Sequence, residues 1–272
     1  MPPFRDKVFV ITGASSGLGQ ALAAAFAEAG AAVVLAARGA EALHAVAGAL
    51  HDAGHQALAV PADVTDQAQV EALMARAVER FGRIDGLVNN VGVSMRGTAL
   101  ETTPEEFQRL LELNLIAAVR CTRAASEQLL ARGGHLVNIG SLSGKAASRY
   151  LGAYPASKFA LTAYTQQLRL ELSPRGVHVL LVSPGPIARP KTRTYGTESR
   201  EHLPDSARKP GGGVRAKAIP PDELARRIVE ACRRRRAELT VPGSARLLFA
   251  LMQLSPRLGD YLVRRMTGGD EA

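Results

Sequence analysis

The chain has 272 residues, of which 46% are hydrophobic, only 4% aromatic and none tryptophan, so a core of Ala, Val and Leu in one α/β domain spanning residues 1–272 is the natural expectation. Its formal charge of +9 is lopsided: residues 189–272 hold 18 of the 34 Lys and Arg against 10 of the 25 Asp and Glu, a surplus of +8, which leaves +1 for residues 1–188. Two cysteines, Cys121 and Cys232, exclude a disulfide framework and fit a reducing, cytoplasmic setting. The six scattered histidines, without CxxC or HExxH spacing, give no metal site, and neither a signal peptide nor a run near the roughly 18 apolar residues of a spanning helix is visible.

In chain order, short β-branched runs alternate with longer helical ones. Val8–Thr12 reads as a strand, Gly17–Ala29 as a helix, Ala32–Ala36 as a strand, Glu41–Asp52 as a helix, Ala57–Val60 as a strand and Gln67–Phe81 as a helix. Gly86–Asn89 is a strand. One long helix is predicted over Pro104–Ala131, opened by Thr103 as N-cap, Pro104 in the first turn and Glu106 three residues after the cap. His135–Ile139 is a strand, Ala153–Leu172 a helix and Val177–Val182 a strand. Residues 187–218, polar, basic and rich in Gly and Pro, break the rhythm and read as a flap over a substrate. Pro221–Arg236 returns to a helix with Asp222 and Glu223 in its first turn, Glu238–Val241 is a last strand, and residues 244–266 form two amphipathic helices broken at Ser255 and Pro256. This βαβα order predicts a Rossmann-like doubly wound parallel sheet with helices on both faces, plus C-terminal amphipathic helices. Its ligand should lie beyond the carboxyl ends of the strands.

The residues that follow the strands carry the chemistry. Thr12-Gly13-Ala14-Ser15-Ser16-Gly17-Leu18-Gly19 lies between the first strand and the first helix, where glycines admit a pyrophosphate to helix N-terminal amides. Further on, "YPASK" places Tyr154 and Lys158 one helical turn apart on one face. A phenol titrating near pH ~10 is a poor acid or base at neutral pH, and an adjacent cation favours its ionised form.

These motifs resemble the short-chain dehydrogenase/reductase family, over roughly residues 5–243. The first turn has TGxxxGxG spacing, "NNVG" at Asn89–Gly92 is similar to the family's NNAG turn, and "LELNLIA" contains Asn114 where the family's helix carries its catalytic Asn. Ser141 in "VNIGSLSG" stands thirteen residues before Tyr154, the family spacing, and "SPGPI" at Ser183–Ile187 matches the nicotinamide-side turn. The resemblance implies that Tyr154 exchanges a proton with the substrate oxygen, Lys158 holds the nicotinamide ribose and lowers the Tyr154 pKa, Ser141 orients the carbonyl, and Asn114 holds a relay water. It implies cofactor contacts from Gly13, Ser15, Ser16, Gly17, Leu18, Gly19, Asp63, Val64, Asn90, Tyr154, Lys158, Pro184, Gly185 and Ile187. Asp63 would accept from the adenine amino group. After the second strand stand Ala37 and Arg38 with no acid, which favours NADP(H) over NAD(H), with Arg38 forking onto the 2′-phosphate; otherwise Arg38 simply opens the next helix in solvent. Arg189 stands where the family commonly has Thr, so Thr192 substitutes or that contact is lost.

The implied activity is NADPH-dependent reduction of a ketone, reversible to oxidation of a secondary alcohol. The alternatives are an NAD-dependent alcohol dehydrogenase and a cofactor-binding regulatory or scaffold protein. The tail sets Leu247, Leu248, Leu251, Leu254, Leu258, Tyr261, Leu262 and Met266 among Arg246, Arg257, Arg264 and Arg265. Such a stretch packs on its own domain or a second subunit, covers an apolar substrate mouth, or lies on an anionic membrane. The family habit of pairing subunits through the two long helices implies a homodimer or homotetramer. Arg233–Arg236 cap a helix C-terminus without an aromatic platform, so nucleic acid is not an expected partner.

Overall fold

In a computed structural model, residues 2–188, 203–204, 207 and 217–267 are described. Seven strands run in parallel in one sheet: β1 Val8–Thr12, β2 Ala32–Ala37, β3 Ala57–Pro61, β4 Gly86–Asn89, β5 His135–Ile139, β6 His178–Pro184 and β7 Glu238–Val241. Their order is β3-β2-β1-β4-β5-β6-β7. The chain builds outward from β1 to β3, then returns to the other side of β1 with β4, so the strand order reverses between β1 and β4. The pairs Phe9 with Gly86 and Ile11 with Val88 fix the register there.

The helices are α1 Gly17–Glu28, α2 Ala40–Asp52, α3 Gln67–Phe81, α4 Pro104–Leu111, α5 Ala117–Arg132, α6 Tyr154–Leu172, α7 Pro221–Arg233, α8 Ala245–Leu254 and α9 Pro256–Met266. Every residue of β1 and of β6 is buried, as a parallel sheet covered on both faces requires. Alternate β1 residues serve two apolar layers. Phe9 and Ile11 belong to the layer that holds Leu22 and Phe26 of α1 and Ile228 of α7, while Val8 and Val10 belong to the layer that holds Leu73 of α3 and Ala125 of α5.

The elements fall close to their predicted bounds, with one instructive exception. The helix expected over Pro104–Ala131 starts as predicted, with Thr103 and Glu106 forming a reciprocal capping box, but Glu112–Ile116 is a π-turn between α4 and α5. Asn114 is the buried residue of that turn. Its amide ties to Val93 and Ser157, and the wider turn aims the side chain at those partners, as single π-turns in functional helices commonly do. Hydrophobic periodicity carries no mark of it.

The segment predicted as a flap is anchored at its ends by a parallel bridge, Ile187 to Ile219, with Ala188 N–H donating to Ile219 O at 2.9 Å and Ile219 N–H to Pro186 O at 2.9 Å. Within it, Arg96 Nε donates to Ala207 O at 2.7 Å. The rest of the flap, with Arg189 and Thr192, lies outside the described residues. At the amino end of the sheet, His178 Nε2 lies 2.7 Å from the Arg236 carbonyl and must donate to it. His178 Nδ1 is therefore left to accept the Nδ1 proton of His135 at 2.9 Å.

Candidate active site

The carboxyl ends of the strands open into one cleft of about 1720 Å³. It lies beside the β1/β4 reversal and runs from the α1 N-terminus to the C-terminal helices. Its floor on the β1 side is the glycine-rich turn. Gly13 has φ +66°, and a Cβ on Gly19 would sit 2.0 Å from the Gly13 carbonyl oxygen, so only glycine lets α1 start this close to the strand. Asn90 braces the turn, its Nδ2 donating to Thr12 O at 3.0 Å and Gly13 O at 3.2 Å. Thr12 Oγ1 donates to Val88 O and accepts from the N–H groups of Asn90 and Val91, stitching the ends of β1 and β4. Ser16 is the α1 N-cap but makes no side-chain cap, so the first amides of α1 face the cleft without that intrahelical competitor.

At the ends of β2 and β3, Arg38 is exposed and Asp63 half-buried. Hydrogen bonds from the Thr65 amide and hydroxyl hold the Asp63 carboxyl below its ordinary range, with the Arg38 charge contributing.

At the opposite wall, Tyr154 opens α6, half-buried and packed on the cluster of Met95, Leu110 and Ala153. Lys158 is 4% exposed, its Nζ donating to Ile139 O at 2.9 Å, and burial pushes it down to about 8. Ser141, also buried, starts the 3₁₀ turn after β5, where its Oγ accepts from Ser143 N–H at 3.1 Å. A Cβ on Gly92 would lie 3.0 Å from Lys158 Nζ and 3.1 Å from Asn114 Oδ1.

Of the predicted residues, Gly13, Ser15, Ser16, Gly17, Leu18, Gly19, Arg38, Asp63, Val64, Asn90, Ser141, Tyr154, Lys158, Pro184, Gly185 and Ile187 all line this cleft. Asn114 does not; it stands one layer behind, 1% exposed. Its Oδ1 accepts from Val93 N–H at 2.8 Å, and its Nδ2 donates to Val93 O at 3.0 Å and Ser157 Oγ at 2.9 Å. Ser157 Oγ in turn donates to Tyr154 O at 2.8 Å. Sequence reasoning assigned no role to Ser157, although it stands three residues after Tyr154 inside the quoted motif. It also passed over Thr12 and Lys145. Lys145 Nζ pairs with Glu238 at 2.6 Å and lies 5.9 Å from the Phe249 ring centroid, linking the loop after Ser141 to β7 and α8.

The family's sequence model, described as short chain dehydrogenase, matches residues 7–200. The chain belongs to the short-chain dehydrogenase/reductase family. Among its relatives is the ketoacyl reductase HetN of a Nostoc species, 32% identical over 271 residues and covering 97% of this chain and 90% of that protein. Two solved structures share the fold. A short-chain dehydrogenase/reductase from Burkholderia phymatum in complex with NAD has a TM-score of 0.83 at 29% identity, covering 95% of this chain and 96% of that one. A variant of actinorhodin polyketide ketoreductase with NADPH has a TM-score of 0.75 at 32% identity, covering 88% and 97%. This short-chain dehydrogenase/reductase is thus an oxidoreductase of the alcohol and ketone class with a small-molecule substrate. Among its described residues no helix is long and apolar enough to cross a membrane.

The far end of the cleft is closed by the tail. Leu248 and Leu251 of α8 and Leu262, Val263 and Met266 of α9 line it. Leu247 of α8 lines it as well. Leu248 and Leu251 turn toward the cleft, whereas Leu254 is 83% exposed and takes no part in it.

Proposed function

We propose that this chain reduces an apolar, lipid-like ketone with NADPH, and oxidises the matching secondary alcohol in reverse. The observation that carries this reading is the buried Lys158 ammonium one helical turn from Tyr154, within a cleft whose other end is walled by tail leucines. The cradle fits a dinucleotide: the Gly13 to Gly19 approach leaves room for a pyrophosphate at the α1 amides, and Arg38, with no acid at the end of β2, suits a 2′-phosphate. Bound NADPH would supply a hydride to the carbonyl carbon.

The chain's own residues manage the oxygen. Ser141 Oγ donates a hydrogen bond to the carbonyl, and Tyr154 gives its phenolic proton to that oxygen as negative charge develops. Lys158 uses one proton on Ile139 O, and its other two would be available to the ribose hydroxyls of a bound cofactor and to the phenol, where the charge would stabilise the phenolate left behind. Nζ and Asn114 Oδ1 are no more than about 6 Å apart around Gly92, and Oδ1 keeps one unused lone pair, so the two groups would suit a bridging water able to pass a proton to Lys158. Pairing of two or four copies through α4–α5 and α6 completes the proposal, and Phe159 and Leu170 leave apolar surface on α6 for it.

The test is a titration with NADPH and NADH followed by turnover on ketones from small to long-chain. NADPH should bind more tightly than NADH, and Tyr154→Phe should cut kcat by at least about 100-fold while leaving NADPH affinity unchanged. Near-normal turnover by that variant would reject the assignment.

A further inference from the structure

The outward sides of α8 and α9 carry a surface that the reductase chemistry does not use. On α9, Arg257, Tyr261 and Arg264 repeat at four and three residues, with Arg265 and Leu258 at their margin, and all five are exposed. That spacing makes one continuous stripe along the helix. On α8, Leu254 is 83% exposed and takes no part in the cleft, while Leu247, 68% exposed, also lines the cleft and stands at its rim, as Met266 does on α9. Leu247, Leu254, Leu258, Tyr261 and Met266 make up five of the nine exposed large apolar side chains among the described residues. Arg257 and Arg264 have no carboxylate partner among the described residues, and Asp260 is the one acid on the two helices. The opposite side of the same pair faces inward. A Cβ on Gly259 would meet Met252 at 2.5 Å, so the two helices touch, and Leu248, Leu251, Leu262 and Val263 wall the cleft.

We propose that the outward side of the α8–α9 pair docks on an anionic lipid bilayer, lying in its headgroup layer with the cleft mouth at the membrane surface. Exposed leucines and a tyrosine among unpaired guanidinium groups are what an interfacial helix presents, apolar groups toward the acyl boundary and cations toward lipid phosphates. A second copy of the chain fits less well. A two-fold interface would bring each arginine stripe against itself, with Asp260 alone to offset it, and interface cores are depleted of charge. Nucleic acid offers nothing for exposed Leu247, Leu254 and Leu258 to bury against. The proposal deepens the reading of an apolar substrate, because a bilayer-dissolved ketone would then reach the site without crossing water.

The test is sedimentation of the full chain with vesicles of phosphatidylcholine alone or mixed with phosphatidylglycerol. Binding should require the anionic lipid and weaken as salt rises. Neutralising Arg257, Arg264 and Arg265 together as Gln should weaken it by about 100-fold, at roughly fivefold for each charge. Leu254→Ser with Leu258→Ser should weaken binding at all salt concentrations. Retained NADPH binding and unchanged turnover of a small water-soluble ketone show that these variants fold. Three outcomes overturn the proposal: no sedimentation with either vesicle, full binding by the arginine variant, or a halved molecular mass of the leucine variant without vesicle binding, which would make the surface a self-interface. Vesicle binding is read without turnover, so it can stand even if no ketone is reduced, and in that case the reductase reading alone fails.

Discussion

At the residue scale, Lys158 shows how a functional group works against the fold that holds it. An ammonium that titrates near 10.5 in water is pushed down to about 8 by burial. Between those values the unfolded chain binds a proton that the folded chain resists. Stability therefore rises with pH across roughly 8 to 10.5, and below pH 8 the full penalty of burying the charge is present. That penalty is on the order of 3 kcal/mol at neutral pH, partly offset by the hydrogen bond to Ile139 O. Lys158→Met should accordingly raise stability by about 1–3 kcal/mol at pH 7 while abolishing turnover. Denaturant unfolding of the cofactor-free variant beside its kcat would check both halves, and a less stable Met variant would contradict the argument. Most cleft residues were legible because their motifs fix residue type at a fixed distance after a strand. Ser157 was not. Its role comes from a hydrogen bond to Asn114, 43 residues away in sequence, and no spacing rule reaches that far.

At the element scale, strands and helices were readable because polarity repeats at two different periods along this chain. The π-turn at Glu112–Ile116 was unreadable, since one extra residue in a long helix leaves its apolar stripe nearly intact. That turn and the first turn of α6 are joined by the Asn114–Ser157–Tyr154 chain of hydrogen bonds. Ser157→Ala would leave one Asn114 N–H buried without its acceptor, a loss of about 1–3 kcal/mol. The variant should also lower kcat several-fold with KM little changed, because the phenol is displaced and no substrate contact is removed. Ser157→Thr, which keeps the hydroxyl, should recover part of both. Loss of stability with full kcat would make Ser157 a packing residue only.

At the scale of the whole molecule, the two ends of the sheet answer to different demands. Chemistry sits at the carboxyl end, whereas the amino end holds groups that tie stability to pH. Burial, reinforced by the neighbouring His178, pushes His135 down to about 3, and burial lowers His178 as well. Burial would raise Asp85, but hydrogen bonds from Arg83, the Val8 amide and Lys7 outweigh it and hold the carboxyl below its ordinary range. In each case the unfolded chain takes up the proton first, so the contribution of the histidines is full above about pH 6.5 and falls as pH drops toward 3, while that of Asp85 is lost only as pH falls below the ordinary carboxylate range. Wild type should lose about 2 kcal/mol between pH 6.5 and 4.5 through His135. His135→Gln, less stable at pH 7, should flatten that slope, as urea unfolding at several pH values would show. The bridge between Ile187 and Ile219 carries a consequence for how such a protein diversifies. Both ends of the connecting segment are held by the same pair of backbone hydrogen bonds, and closing a loop grows costlier only with the logarithm of its length. Segments of very different length and sequence can therefore be exchanged between those two posts. That makes the connection between the two posts a replaceable cassette, open to change in length and sequence while the residues that line the cleft are inherited unchanged.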